Sequence, residues 1–132
     1  VHFTSIRISV KAKLKKIFLV TDAMPPVGSE IESYKLGDLE ILCTNNQCTT
    51  KDGVLAGSAL DMATAVRNCV QKVGIPLDES LRMASTYPAQ MIGLGEVLGN
   101  IKPGYFANMV IFNNQLIVKG IVSYGQREQF AN

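Results

Sequence analysis

No apolar run in this chain approaches the roughly 20 residues that a helix needs to span a bilayer, and the first residues lack the apolar core of a signal peptide. Both absences lead to the expectation of a soluble, cytoplasmic protein with no membrane partner. Excess charge of one sign is also lacking. Thirteen basic residues against eleven acidic ones leave a net charge of +2, too little for the electrostatic footprint of a nucleic-acid binder. Lys11, Lys13, Lys15 and Lys16 do gather, but no aromatic side chains interleave with them, so they read as a solvated face or the end of an element. Cysteine occurs three times, at 43, 48 and 69, an odd number without C-x-x-C spacing. Reduced structural thiols are expected, with Cys69 on an apolar helical face and Cys43 and Cys48 packing rather than binding metal. Histidine occurs once, as His2, so these residues cannot assemble a histidine-rich metal centre. Repeats and low-complexity segments are absent, and 132 residues suit one ordinary domain that buries roughly two thirds of its unfolded surface.

What the chain does have is an apolar run leading straight into an acid. Ile17-Phe18-Leu19-Val20 reads as a strand buried on both faces, as in a parallel sheet, and Thr21-Asp22-Ala23 follows it. The carboxyl ends of strands in α/β folds are where chemistry sits, because loops converge there on a crevice while the strand stays rigid. Asp22 is therefore a candidate functional acid, against the plainer reading in which it caps a turn. Met24-Pro25-Pro26-Val27-Gly28-Ser29 cannot continue a strand, so the chain turns away, and Met24, Pro25 and Pro26 either wall a site or only shape the loop.

Elsewhere the periodicity changes several times. Ile6, Ile8, Val10, Ala12 and Leu14 alternate with polar residues, which argues for a strand, while the lysines argue for the carboxyl end of a helix. Leu39 to Cys43 and Gln47 to Thr50, separated by Thr44-Asn45-Asn46 and closed by Lys51-Asp52-Gly53, have the grammar of a hairpin. Ser58 as N-cap with Asp61 three residues on predicts a helix from about Ala59 to Val73, stopped by Gly74 and Pro76. A second helix follows from Asp78 to Thr86. Pro88 opens a third, short one that runs to Gly93. Beyond Gly95 the chain turns to strands at 107–112, 115–118 and 120–124.

This order of elements carries a resemblance. The Thr21-Asp22-Ala23 strand end, Leu55-Ala56-Gly57-Ser58-Ala59-Leu60, Ala84-Ser85-Thr86-Tyr87-Pro88-Ala89 and the turn from Gly99 to Val110 together resemble the carboxyl-terminal third of an amidohydrolase-superfamily enzyme. Leu19 to Gly28 and Leu55 to Met62 are similar to the branch that deacetylates phosphorylated amino sugars. The Pro103-Gly104-Tyr105-Phe106-Ala107-Asn108 turn is shared more widely across the superfamily.

The resemblance implies an α/β fold: the last part of a metal-dependent (β/α)8 TIM barrel over residues 1–98, with strands of a small β-sandwich over 99–132. It makes Ile17 to Thr21 the eighth barrel strand and Ser5 to Lys15 the helix before it, which decides that ambiguous segment for helix. It implies that Asp22 is the acid/base group and that His2 contacts the sugar phosphate substrate, although the Asp-Gly that precedes this histidine in the family is absent and Phe3 follows it. Gly57, Ser58, Ala59 and Leu60 lie beside the sugar on this reading, where a helix start offers backbone N–H groups. The plain alternative is a good helix cap. The family's divalent metal, such as zinc or iron, is held by a glutamate and two histidines from earlier strands, so no cofactor is expected on this chain, which reads as an inactive fragment of a longer, homo-oligomeric enzyme. Two other readings stay open: an amidohydrolase acting on a cyclic amide, and a non-catalytic assembly module.

Overall fold

The computed structural model describes residues 2–13, 17–44 and 47–130. Helices and strands are mixed along the chain, as expected of an α/β fold. It divides into two compact units, a sheet unit over Val20–Ala65 and a helical unit formed by residues up to Leu19 and from Val66 onward.

The sheet unit is a four-stranded antiparallel meander in the order β1-β2-β3-β4, comprising Ser33–Leu36, Leu39–Thr44, Gln47–Thr50 and Leu55–Ser58. The predicted hairpin is its centre. The sequence reading passed over β1, which joins β2 through Gly37 in the left-handed region at φ 60°, and it took β4 for a helix start. Side chains alternate along β2, with Ile41 and Cys43 buried and Leu42 exposed, as the pleat requires. The buried cluster of Ile41, Cys43 and Cys48 is joined by Met24, Tyr34, Ala56 and Ala59.

Cys43 and Cys48 are not reduced thiols; they form a disulfide. The register places them directly opposite on β2 and β3, with Cα atoms 4.1 Å apart. Closely spaced antiparallel pairs of this kind bring two Cβ atoms within bridging reach. Asn45 and Asn46, the turn expected between these strands, lie outside the described residues.

In the helical unit, α1 spans Phe3–Ala12, so the helical reading of that segment holds over its alternation. Ile6 and Val10, one turn apart, pack with Ile17 and Leu19 against buried Cys69, Val73, Ile75 and Met83. Arg7 reaches across to the carbonyls of Lys72 and Val73, with its Nε 3.1 Å from the Val73 oxygen, a cation satisfying the last carbonyls of another helix. The predicted end at Lys15 lies outside the described residues.

The expected buried strand over 17–21 is corrected. These residues form no strand; Ile17 and Leu19 face the core while Phe18 and Val20 are exposed, Val20 at 72%. A parallel strand needs ladder partners on its flanks. Among the described residues the nearest thing to a ladder here is a single parallel bridge between Ala23 and Ser58. The other backbone tie is the Leu19 N–H, which donates to the Met83 carbonyl at 2.9 Å.

Helix α2 spans Met62–Asn68 and runs on as a π-helical turn, Cys69–Val73. It starts three residues later than predicted because Asp61, not Ser58, caps it: the Thr64 N–H donates to Asp61 Oδ1 at 2.8 Å. Gly74, at φ 82°, ends it as predicted. Helices α3 (Leu77–Ala84) and α4 (Thr86–Met91) follow. Glu79 ties them by accepting from Tyr87 Oη at 3.0 Å, while Arg82 donates to Asp78 and Glu79 within α3. Strands β5 (Met109–Phe112), β6 (Val118–Ser123) and β7 (Gln126–Gln129) close the unit as an antiparallel sheet. The strand expected at 115–118 is mostly a turn organised by Asn113 Oδ1, which accepts from the Gln115 and Ile117 N–H groups. Polar, exposed β7 is not picked out by alternation, although it falls within the 99–132 stretch that the resemblance assigns to sandwich strands.

Candidate functional site

Asp22 sits where an extended segment meets the end of β4. Its φ is 53°, in the left-handed region that non-glycine residues seldom occupy, though aspartate tolerates it better than most. The residue is exposed. What holds it is Ser58. The Ser58 N–H donates to the Asp22 carbonyl at 2.9 Å, and the Ser58 carbonyl accepts from the Met24 N–H at 2.8 Å. Ser58 Oγ donates a short hydrogen bond to the Thr21 carbonyl and accepts from the Leu60 N–H at 3.2 Å.

Gly57 is buried beneath this contact. A Cβ there would lie 2.6 Å from the Met24 side chain and 3.1 Å from the Asp22 carbonyl oxygen. Glycine is what allows β4 to come this close. Ala59 packs into the disulfide cluster and also lines a surface cavity of about 520 Å³ with Pro26, Ser29, Glu30, Glu32 and Cys43. Pro26 is thus a wall residue of that cavity as well as part of a turn, which Ser29 closes by donating to the Pro26 carbonyl at 2.8 Å.

Of the six residues singled out from the sequence, five therefore come together: Asp22 with Gly57, Ser58, Ala59 and Leu60. The N–H groups expected to be open at a helix start are partly engaged, Ser58's by Asp22 and Leu60's by Ser58. His2 belongs to the helical unit, where it is exposed and caps α1, its Nδ1 accepting from the Thr4 N–H at 3.2 Å. A neutral ring with Nδ1 accepting carries its proton on Nε2. The sequence marks Met24 as a candidate site wall but does not pick out Thr21, Glu30 or Glu32 as neighbours of the site. Thr21 becomes legible only once β4 is placed beside 21–24.

Among the described residues no three histidine, cysteine, aspartate or glutamate side chains gather in a group able to hold a metal ion. These residues do not fit the family's metal. No helix among the described residues is long and apolar enough to cross a membrane.

Residues 1–127 match the amidohydrolase family. An N-acetylglucosamine-6-phosphate deacetylase of Haemophilus influenzae is 32% identical over 96% of this chain, which spans 34% of that relative. A putative N-acetylgalactosamine-6-phosphate deacetylase of Escherichia coli K12 is 36% identical over 98% of this chain, which spans 78% of it. The crystal structure of N-acetylglucosamine-6-phosphate deacetylase from Pasteurella multocida superposes on 98% of this chain with a TM-score of 0.94 and 38% identity, the match covering 34% of that structure. The chain thus spans about a third of the length of two of these proteins, and with its family match running over nearly every residue it belongs to the amidohydrolase family.

Proposed function

We propose that this chain is the carboxyl-terminal part of a cytoplasmic deacetylase that hydrolyses N-acetylglucosamine 6-phosphate to glucosamine 6-phosphate and acetate. The observation that carries the reading is the near-complete superposition on an N-acetylglucosamine-6-phosphate deacetylase at 38% identity. Asp22 is the acid/base group. Amide hydrolysis requires a proton to leave the attacking water and another to reach the departing amine, and one carboxylate fixed beside the acetyl group performs both transfers in turn. The Ser58 contacts supply that fixity. Gly57, Ala59 and Leu60 flank the sugar, and His2 contacts its phosphate through Nε2. Residues 1–98 complete a (β/α)8 barrel and 99–132 contribute to a β-sandwich, so the chain on its own is inactive. A divalent metal, zinc or iron, belongs to the longer enzyme, which assembles as a homo-oligomer.

A second substrate is favoured by a specific observation: a relative of which this chain covers 78% is a putative N-acetylgalactosamine-6-phosphate deacetylase. The two sugars differ only at C4. Assaying the full-length enzyme on both epimers decides between them. Asp22→Asn in that enzyme should lower kcat about 10²- to 10⁴-fold on whichever epimer is turned over, and near-normal turnover would remove Asp22 from the chemistry.

A further inference from the structure

We propose that Ser58 is a positioning residue that locks Asp22 into its left-handed backbone conformation, and that its hydroxyl is not a substrate contact; this rests on the reading of Asp22 as the proton-transfer group. Asp22 is exposed, so packing does not fix it, and its φ of 53° is a sparsely populated conformation that persists where the surrounding structure holds it. Ser58 supplies that hold: it binds the carbonyl of Thr21, the carbonyl of Asp22 and the N–H of Met24, so the chain is clamped before, at and after the strained position.

Two of these three bonds are made by the Ser58 backbone and survive any side-chain change. The third is made by Oγ, which has one proton to donate and gives it to Thr21. The same oxygen accepts from Leu60, so the hydroxyl is oriented from both sides and has no proton left for a sugar. Gly57 completes the clamp, since any Cβ there would drive β4 away from Met24 and the Asp22 carbonyl.

The test is made in the full-length enzyme with Ser58→Ala and Ser58→Thr. A displacement of a catalytic group by about 1 Å costs on the order of 10²-fold in rate, so Ser58→Ala should lower kcat roughly 10- to 100-fold while leaving KM unchanged, and Ser58→Thr, which keeps the hydroxyl, should restore most of it. A rise in KM with kcat intact would make the hydroxyl a substrate contact and overturn the proposal. Loss of thermal stability with kcat intact would overturn it as well, by leaving Ser58 purely structural. The decisive measurement is a double-mutant cycle. In an Asp22→Asn background, Ser58→Ala should cost no further kcat, because there is no longer a carboxylate to aim; full additivity of the two losses would sink the idea even if Ser58→Ala also weakens folding. Unimpaired Asp22→Asn would instead show that the reading of Asp22 had failed, and the role of Ser58 with it.

Discussion

The two units bury cysteine in opposite ways. The sheet unit spends two cysteines on a cross-link between β2 and β3, whereas the helical unit keeps Cys69 as a free thiol, 2% exposed, among Val73, Ile75 and Met83. The difference follows from what each has to bury. The sheet unit's buried apolar cluster is small, Ile41 with the two cysteines of the disulfide, and units well below ~70–80 residues seldom stabilise themselves by core burial alone. The helical unit gathers side chains from α1, the π-helical turn, α3 and α4 around one cluster, and a small apolar thiol serves there as well as an alanine or valine. One unit is held by a covalent bond, the other by packing.

Removing packing should therefore injure one unit and removing the bond the other. Met83, 1% exposed, is the sharpest cut: Met83→Ala should destabilise the helical unit by about 2–5 kcal/mol. Amide exchange should then accelerate over Leu77–Ala84 and leave Gln47–Thr50 protected. Reducing the Cys43–Cys48 bond is the reciprocal cut. A loop closed across so few residues is worth about 2 kcal/mol by chain-entropy reasoning, so exchange should quicken along β2 and β3 while α3 holds its protection. Equal loosening of both units under either treatment would break the comparison.

A smaller effect separates the capping by His2 from the phosphate contact proposed for it. His2→Ala removes the acceptor for the Thr4 N–H and should cost about 1 kcal/mol of helix stability, together with affinity for the phosphorylated sugar but not for its unphosphorylated counterpart. His2→Asn keeps a cap and should lose only the phosphate effect. Comparable losses on both sugars would confine His2 to capping.

The smallest effect concerns Cys69, whose pKa is raised by burial above the ordinary 9.0. The folded state keeps this thiol neutral where the unfolded chain would ionise it. Its contribution to stability is therefore complete below 9.0 and is lost as pH climbs through the higher folded value. Urea titrations at about pH 8 and about pH 10 should show a fall in stability that is shallower in Cys69→Ala. An identical fall in both proteins would assign it to other groups.

The elements most legible in the sequence were those whose signals are local. Gly74 after a helical apolar stripe, Pro88 near a helix start, and Asp52-Gly53 closing a hairpin each act within a few residues, and each lies where expected. Long-range pairing was not legible. Ile17 to Val20 has the composition of a buried strand, but composition cannot reveal whether ladder partners stand alongside. Cys43 and Cys48 are five residues apart, a spacing that means little until the β2–β3 register sets them face to face. Ser58 misled for a related reason: serine before Asp61 reads as a capping box, and only its pairing with Gln47 of β3 shows that it ends a strand instead. The grouping of Asp22 with 57–60 came from the family resemblance; periodicity and spacing contained no hint of it.

The positive φ of Asp22 sets foldability against the proton transfer proposed for it at a single position. Glycine would occupy that backbone region freely, relieving a strain on the order of 1 kcal/mol. A library of this protein screened for thermal stability alone should therefore enrich Asp22→Gly and discard the carboxylate along the way. Selection for turnover should hold the aspartate against that pull, so position 22 is where the two kinds of selection ought to diverge first.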